Sequence, residues 1–215
     1  MPQPKLRARA VAEASLPPAA VRSAIATATH RAVVEAVGPA AAPRSCALYA
    51  NVGAALAGGV LDREYAVVYG SLTVRVARDP DGAGDAYFQM RADDAATRGM
   101  EFHAWIQGQD EAAGVVTEVI DFAARHYRGM YETQAGFGWA EGGADPLAGV
   151  VWAEEYPPFV WATPETAPDG LFLSADPGAT LAGGEAFFAR YGEVAGTIAR
   201  RASQLVPRLD FGRGC

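Results

Sequence analysis

The chain has 215 residues, half of them hydrophobic and a fifth charged, with a formal charge of −7. These totals fit a globular protein with an ample core. A negative balance with no basic run argues against a nucleic-acid partner. No stretch approaches the roughly 18 apolar residues of a membrane span, and no signal-like apolar run follows Lys5, Arg7 and Arg9.

Residues 1–14 read as a loose arm. Val21, Ile25, Ala28, Ala32 and Ala36 recur at helical spacing, and Gly38-Pro39 stops that helix. His30 lies within it and reads as an exposed or partly packed helix histidine. A second helix is expected from Cys46 to Ala57, with Ser45 as its N-cap and Gly58-Gly59 behind it. Cys46, Ala50, Gly53, Ala54 and Ala57 give it a face of small residues.

Tyr65 to Val76 is rich in β-formers, with Gly70 as a bulge or bend. Asp79-Pro80-Asp81-Gly82 is a turn signal, Tyr87 to Met90 a short returning strand, and 91–99 a polar loop. Two further β-rich runs, Glu101 to Gln107 and Val115 to Asp121, flank a loop with Gly108 and Gly114 at its ends, the pattern of a hairpin. Alternation puts Glu101, His103, Trp105 and Gln107 on one face of the first run.

Phe122 to Gln134 reads as helical and Gly136 to Gly149 as a surface loop. Val150 to Trp152 and Phe159 to Trp161 read as short strands, with a solvated turn at Glu154-Glu155-Tyr156. Residues 163–180 read as loop with one apolar patch, Leu171-Phe172-Leu173. The last helix is carried by Phe187, Tyr191, Val194, Ile198, Ala202 and Leu205, and Pro207 ends it. Helices at both ends with strands between predict a single α+β domain, 1–215, on an antiparallel sheet.

The two cysteines, Cys46 and Cys215, have no metal-ligand spacing, so a reducing cytoplasmic setting is the expectation. Cys215, the last residue, reads as an ordinary mobile thiol. Cys46 is the candidate nucleophile. A helix N-terminus and a nearby imidazolium both favour the reactive thiolate, and His103 is the candidate for the second. Asp121, at the end of the next strand, would orient that imidazole as the third member of a triad. The Cys46 backbone N–H is one oxyanion donor, and Gln107 is a candidate for the other. Trp105 and Gln107 are candidate substrate contacts. Trp105, Trp139, Trp152 and Trp161 either line a cleft or fill the core, with core favoured for at least two. A zinc site of Cys46, His103, Asp121 and His126 lacks a short ligand pair, so no metal or cofactor is expected.

A Cys at a helix start, a strand reading His103-Ala104-Trp105-Ile106, and a following strand ending in Asp121 resemble the transglutaminase-like branch of the papain-like cysteine enzymes. The resemblance covers about residues 44–122. It implies a nucleophile-bearing helix packed on an antiparallel sheet that carries His and then Asp. It also implies hydrolysis or acyl transfer at an amide, isopeptide or thioester bond through an acyl-Cys46 intermediate. The expected partner is then a peptide, amide or acyl substrate, without nucleic acid or membrane. The alternative is a binding or scaffold domain of the same fold without turnover. Arg44-Ser45 precedes Cys46, and no Gln stands between Gly38 and Ser45, where papain-type enzymes carry one.

Overall fold

Tyr65-Ala66-Val67-Val68-Tyr69 favours extended backbone, and in the computed structural model it opens the longest strand, β1 (Tyr65–Ala77). The structure describes residues 16–77, 86–90, 102–110, 114–127, 129 and 157–207. The expectations for 1–14, 79–82, 91–99, Glu101, 136–152, Glu154 to Tyr156 and Cys215 lie outside them.

Two helices precede β1, α1 (Ala19–Val37) and α2 (Cys46–Leu61), joined through a 3-10 turn at Ala42–Arg44. After β1 come β2 (Ala86–Met90), β3 (His103–Asp110), β4 (Val115–Asp121), β5 (Val160–Ala162) and β6 (Leu171–Ala175). The helix α3 (Pro177–Leu205) follows. The fold is therefore α+β, and among the described residues the sheet has six strands whose pairings are all antiparallel. β1 ties it together: Tyr65–Gly70 pairs β3, Leu72–Ala77 pairs β2, and Gly70–Val74 pairs β6.

Alternation then sorts the side chains. Tyr69, Ala104, Ile106 and Ile120 face the three helices and join Ile25, Val33, Leu48 and Val52 in one core. Leu72, Val74, Tyr127, Val160 and Ala162 form a second cluster. The small face of α2 lets it lie close on the sheet: a Cβ on Gly53 would stand 2.4 Å from the Phe122 ring and 3.1 Å from Ile106. Ala50 and Ala57 are buried with it, whereas Cys46 and Ala54 are half-buried.

Six expectations change. The helix α2 does not stop at Gly58-Gly59 but runs through them to Leu61, where Asp62 in left-handed backbone ends it. The strand β3 runs on through Gly108, Gln109 and Asp110, so the hairpin loop is shorter than the polar run 108–114. The register slips between Gly108 and Gln109, and the Gly114 N–H reaches the Asp110 carbonyl at 2.8 Å. Gly70 is neither bulge nor bend but a close approach, because a Cβ there would fall 2.0 Å from the Ser174 carbonyl oxygen on β6. The apolar patch at Leu171 is the strand β6, and α3 starts at Pro177 rather than near Phe187. Asp176 caps α3, its carboxylate accepting the Ala179 N–H at 2.6 Å; proline suits the first helical turn because it lacks an N–H. After Phe122, a 3-10 turn at Ala124–His126 stands where a longer helix was expected to begin. Among the described residues no helix is long and apolar enough to cross a membrane.

Candidate functional site

Cys46 is the first residue of α2. Ser45 precedes it as expected, but its hydroxyl donates to the Ala41 carbonyl at 2.9 Å and does not cap the helix. The first-turn N–H groups of α2 are thus not consumed by that side chain. The half-buried Cys46 thiol reaches toward the Phe102 carbonyl at 4.0 Å. Phe102 is the residue before His103, so the sulfur lies over the entry of β3.

His103 begins β3 and is fully buried, and its Nε2 lies 2.6 Å from Asp121 Oδ2. The register makes this contact: Ile106 pairs Ile120, so His103 and Asp121 come to one face at the open end of the β3–β4 ladder. Asp121 is held on three sides. Its Oδ1 accepts the Ala123 N–H at 2.7 Å, and Oδ2 accepts both His103 and the Tyr127 hydroxyl. Asp121 therefore shapes the turn after β4 as well as holding the imidazole.

Burial by itself pushes the His103 pKa down, but the Asp121 charge and hydrogen bond, then the Cys46 thiol, push it up to about 10. The balance of these causes favours the protonated ring. Its second nitrogen, Nδ1, is buried and makes no hydrogen bond of regular geometry among the described residues. The thiol stands close enough to act on the ring as a hydrogen-bond partner and as a charge. The structure thus brings Cys46, His103 and Asp121 together, with Asp121 on Nε2 and Nδ1 left over.

Trp105 and Gln107 fare differently. Trp105 stacks on His103, with ring centres 6.3 Å apart and planes 15° apart, and is buried, a wall of the imidazole pocket rather than an open cleft surface. Gln107 pairs Ala66 and Val119, four residues along β3 from His103. That is about 13 Å of strand, so Gln107 does not serve as an oxyanion donor beside Cys46. Trp161 is a core residue whose Nε1 donates to buried Glu118 at 2.7 Å. Arg63 at 2.6 Å and Tyr65 at 3.2 Å complete the Glu118 shell. Trp139 and Trp152 lie outside the described residues. Two surface hollows among the described residues, of about 510 and 250 Å³, are not lined by Cys46; the first lies beside Arg63 and Glu118 and the second beside Arg22 and Phe159.

No family model matches the chain, and no curated protein matches it. One solved structure does, a crystal structure of the genomics target APC5867. Its sequence is 14% identical, the alignment covers 90% of this chain and 83% of that one, and the TM-score is 0.49.

The structure also reveals groups that the sequence reading passed over. Tyr127 was not singled out, yet its ring packs edge-on against His103 at 5.8 Å and its hydroxyl holds Asp121. His30 is not a bystander: its Nδ1 lies 2.7 Å from the Tyr49 hydroxyl, which lies 3.1 Å from His126 Nε2. Burial and then Arg125 push His30 down. Burial, His30 and Arg125 take His126 down to about 4, against a weaker upward pull from Asp121. Burial takes Tyr49 up to about 12, with Arg125 opposing. His126 thus turns to Tyr49 instead of completing a zinc site. Among the described residues no group of three or more His, Cys, Asp or Glu is placed to hold a metal.

Proposed function

We propose that this chain is a thiol hydrolase or acyltransferase of the transglutaminase-like, papain-like kind, with Cys46 as nucleophile, His103 as acid and base, and Asp121 as the group that holds the imidazole. The observation that carries the reading is the His103 ring. It is held by Asp121 on Nε2, its proton affinity is raised by that carboxylate, and its Nδ1 is buried beside a thiol at a helix start. The positive end of α2 and the His103 ring are the two groups that would stabilise negative charge on the attacking sulfur.

In the reaction, the Cys46 sulfur attacks the carbonyl carbon of an amide, isopeptide or thioester, and the carbonyl oxygen takes the negative charge. The Cys46 N–H, at a helix start that no described side chain caps, donates to that oxygen. His103 gives its proton to the departing amine or thiol, the C–N or C–S bond breaks, and an acyl thioester on Cys46 remains. Water or an amine then attacks the thioester carbon. His103 accepts the attacking group's proton, and the released sulfur returns to its place beside the ring. Asp121 keeps the ring oriented throughout. Complete burial of His103 favours a second reading, a binding domain of this fold without turnover.

Acyl capture separates the two. The protein is incubated with a series of activated thioesters and amides across pH 5 to 9 and digested, and the peptide containing Cys46 is weighed. The enzyme reading expects a mass increase equal to the acyl group, lost in Cys46→Ser and strongly reduced in His103→Ala. A Cys46 peptide that stays unmodified by every acyl donor supports the binding domain instead.

A further inference from the structure

Arg125 sits in the 3-10 turn four residues after Asp121, half-buried. Its Nε is buried without a hydrogen-bond partner, and among the described residues its guanidinium has no carboxylate partner. Withdrawing a guanidinium from water without a counter-charge is costly. Scarcity of acid is not the reason, since the chain has 25 Asp and Glu against 18 Lys and Arg. The place is instead lined by donors. His30 comes from α1, Tyr49 from α2, and His126 from the same turn as Arg125, with the rings 5.5 to 6.0 Å apart. The phenol has one hydrogen to give to two imidazoles, so at least one ring donates in return. Asp121 is the one carboxylate whose charge reaches His126, and it is already occupied by His103, Tyr127 and Ala123.

We infer that His30, Tyr49, Arg125 and His126 form a binding site for an oxyanion, a carboxylate or phosphate carried by the substrate whose acyl group Cys46 accepts. A planar guanidinium and two imidazoles that can each take up a proton are suited to such a group. Burial first, and then the Arg125 guanidinium, hold the proton affinity of both histidines down, and an anion beside them would oppose both. His30, Arg125 and His126 are each part-exposed, so solvent reaches the site. Tyr49 lies three residues after Cys46 on α2, which makes the two side chains neighbours on one helix face. The oxyanion site stands on its own geometry; its service to the acyl substrate rests on the thiol-enzyme reading.

Two arms test these separately. In the first, inorganic phosphate and, in parallel, acetate are titrated into the full chain. The His30 and His126 rings are followed by NMR and assigned through His30→Gln and His126→Gln. Saturable shifts at millimolar anion are expected, with ring titration midpoints raised by about one pH unit. Arg125→Gln should weaken the binding about tenfold or more. Arg125→Lys, which keeps the charge and loses the fork, should fall between. A preference for phosphate or for acetate tells which oxyanion the site takes. Absence of saturable shifts with both anions, or equal binding in Arg125→Gln and Arg125→Lys, overturns the site.

In the second arm, Cys46 is alkylated with iodoacetate and with neutral iodoacetamide in a Cys215→Ser background. The ratio of the two rates should exceed that of a free thiol and drop about tenfold in Arg125→Gln. An unchanged ratio, with the first arm positive, leaves an oxyanion site that does not serve Cys46. Inertness of Cys46 to both reagents counts against the thiol-enzyme reading and leaves the first arm to decide the site.

Discussion

The structure holds two histidine clusters, one joining His103 to Asp121 and one joining His30 and His126 through Tyr49 of α2, and their electrostatics run in opposite directions. In one, burial is complete, yet His103 is pushed up to about 10 because Asp121 faces it. In the other, burial first, and then His30 and Arg125, push His126 down to about 4, and the weaker pull of Asp121 does not offset them. Burial alone therefore does not set the charge of an imidazole here. The counter-charge does, and the chain supplies it on one side and withholds it on the other. The first cluster is suited to hold a proton beside a thiol. The second is suited to wait for an anion.

The largest effect should come from removing the counter-charge. Asp121→Ala leaves His103 with burial alone, so its titration midpoint should fall below the ordinary value of about 6.5 and resemble that of His126. Breaking a buried pair from one side costs about 3–5 kcal/mol, and Asp121 also holds the Ala123 N–H. Urea unfolding at pH 7 and NMR of the His103 ring together check this. A His103 midpoint that stays high without Asp121 would show that another group carries the charge.

A smaller effect should appear in stability against pH. His103 is raised in the fold, so its contribution is full below about 6.5, the unfolded value, and is lost as pH rises through about 10. His126 is lowered, so its contribution is present above about 6.5 and is lost as pH falls toward about 4. His103→Gln should flatten the alkaline limb, and His126→Gln the acid limb, in unfolding measured across pH 4 to 10. Swapped limbs would reverse the assignment.

The smallest effect is expected from Tyr49→Phe. It deletes the hydroxyl between His30 and His126 and leaves both rings short of one partner, at a cost of about 1–3 kcal/mol. Thermal unfolding measures it, and a neutral substitution would mean that the two rings bond each other or water instead.

The first cluster was legible in the sequence in large part. Alternation along Glu101 to Gln107 and the length of the following run were enough to put His103 and Asp121 on one face, because a hairpin's register is a local matter. Gly38-Pro39 likewise marked the end of α1, whereas Gly58-Gly59 did not end α2, which runs through both glycines to Leu61. Tyr127 escaped because a tyrosine six residues after an acid carries no signal of its own. Gln107 was misread because sharing a face says nothing of distance along the strand. The second cluster was not legible at all: His30, Tyr49 and His126 are separated by 19 and 77 residues, and only the packing of α1 on α2 and on the turn after β4 joins them. The strand β6 was missed for a related reason. Its five residues sit in a proline- and glycine-rich stretch, and its partner Gly70–Val74 lies about a hundred residues away. The start of α3 was signalled by Asp176-Pro177, an N-cap and first-turn pair that helical periodicity alone overlooks.

The most direct test of the Cys46–His103 partnership needs no substrate. In a Cys215→Ser protein, the rate of Cys46 alkylation by iodoacetamide at pH 6 is compared with that of a small free thiol, whose unperturbed pKa is about 8.5. It is then measured again in His103→Ala. The account predicts that Cys46 reacts faster than the free thiol despite being half-buried, and that His103→Ala slows it at least about tenfold, since the imidazolium that favours the thiolate is gone. A Cys46 that reacts more slowly than the free thiol, at a rate indifferent to His103, would contradict the account and make it a packing residue of α2.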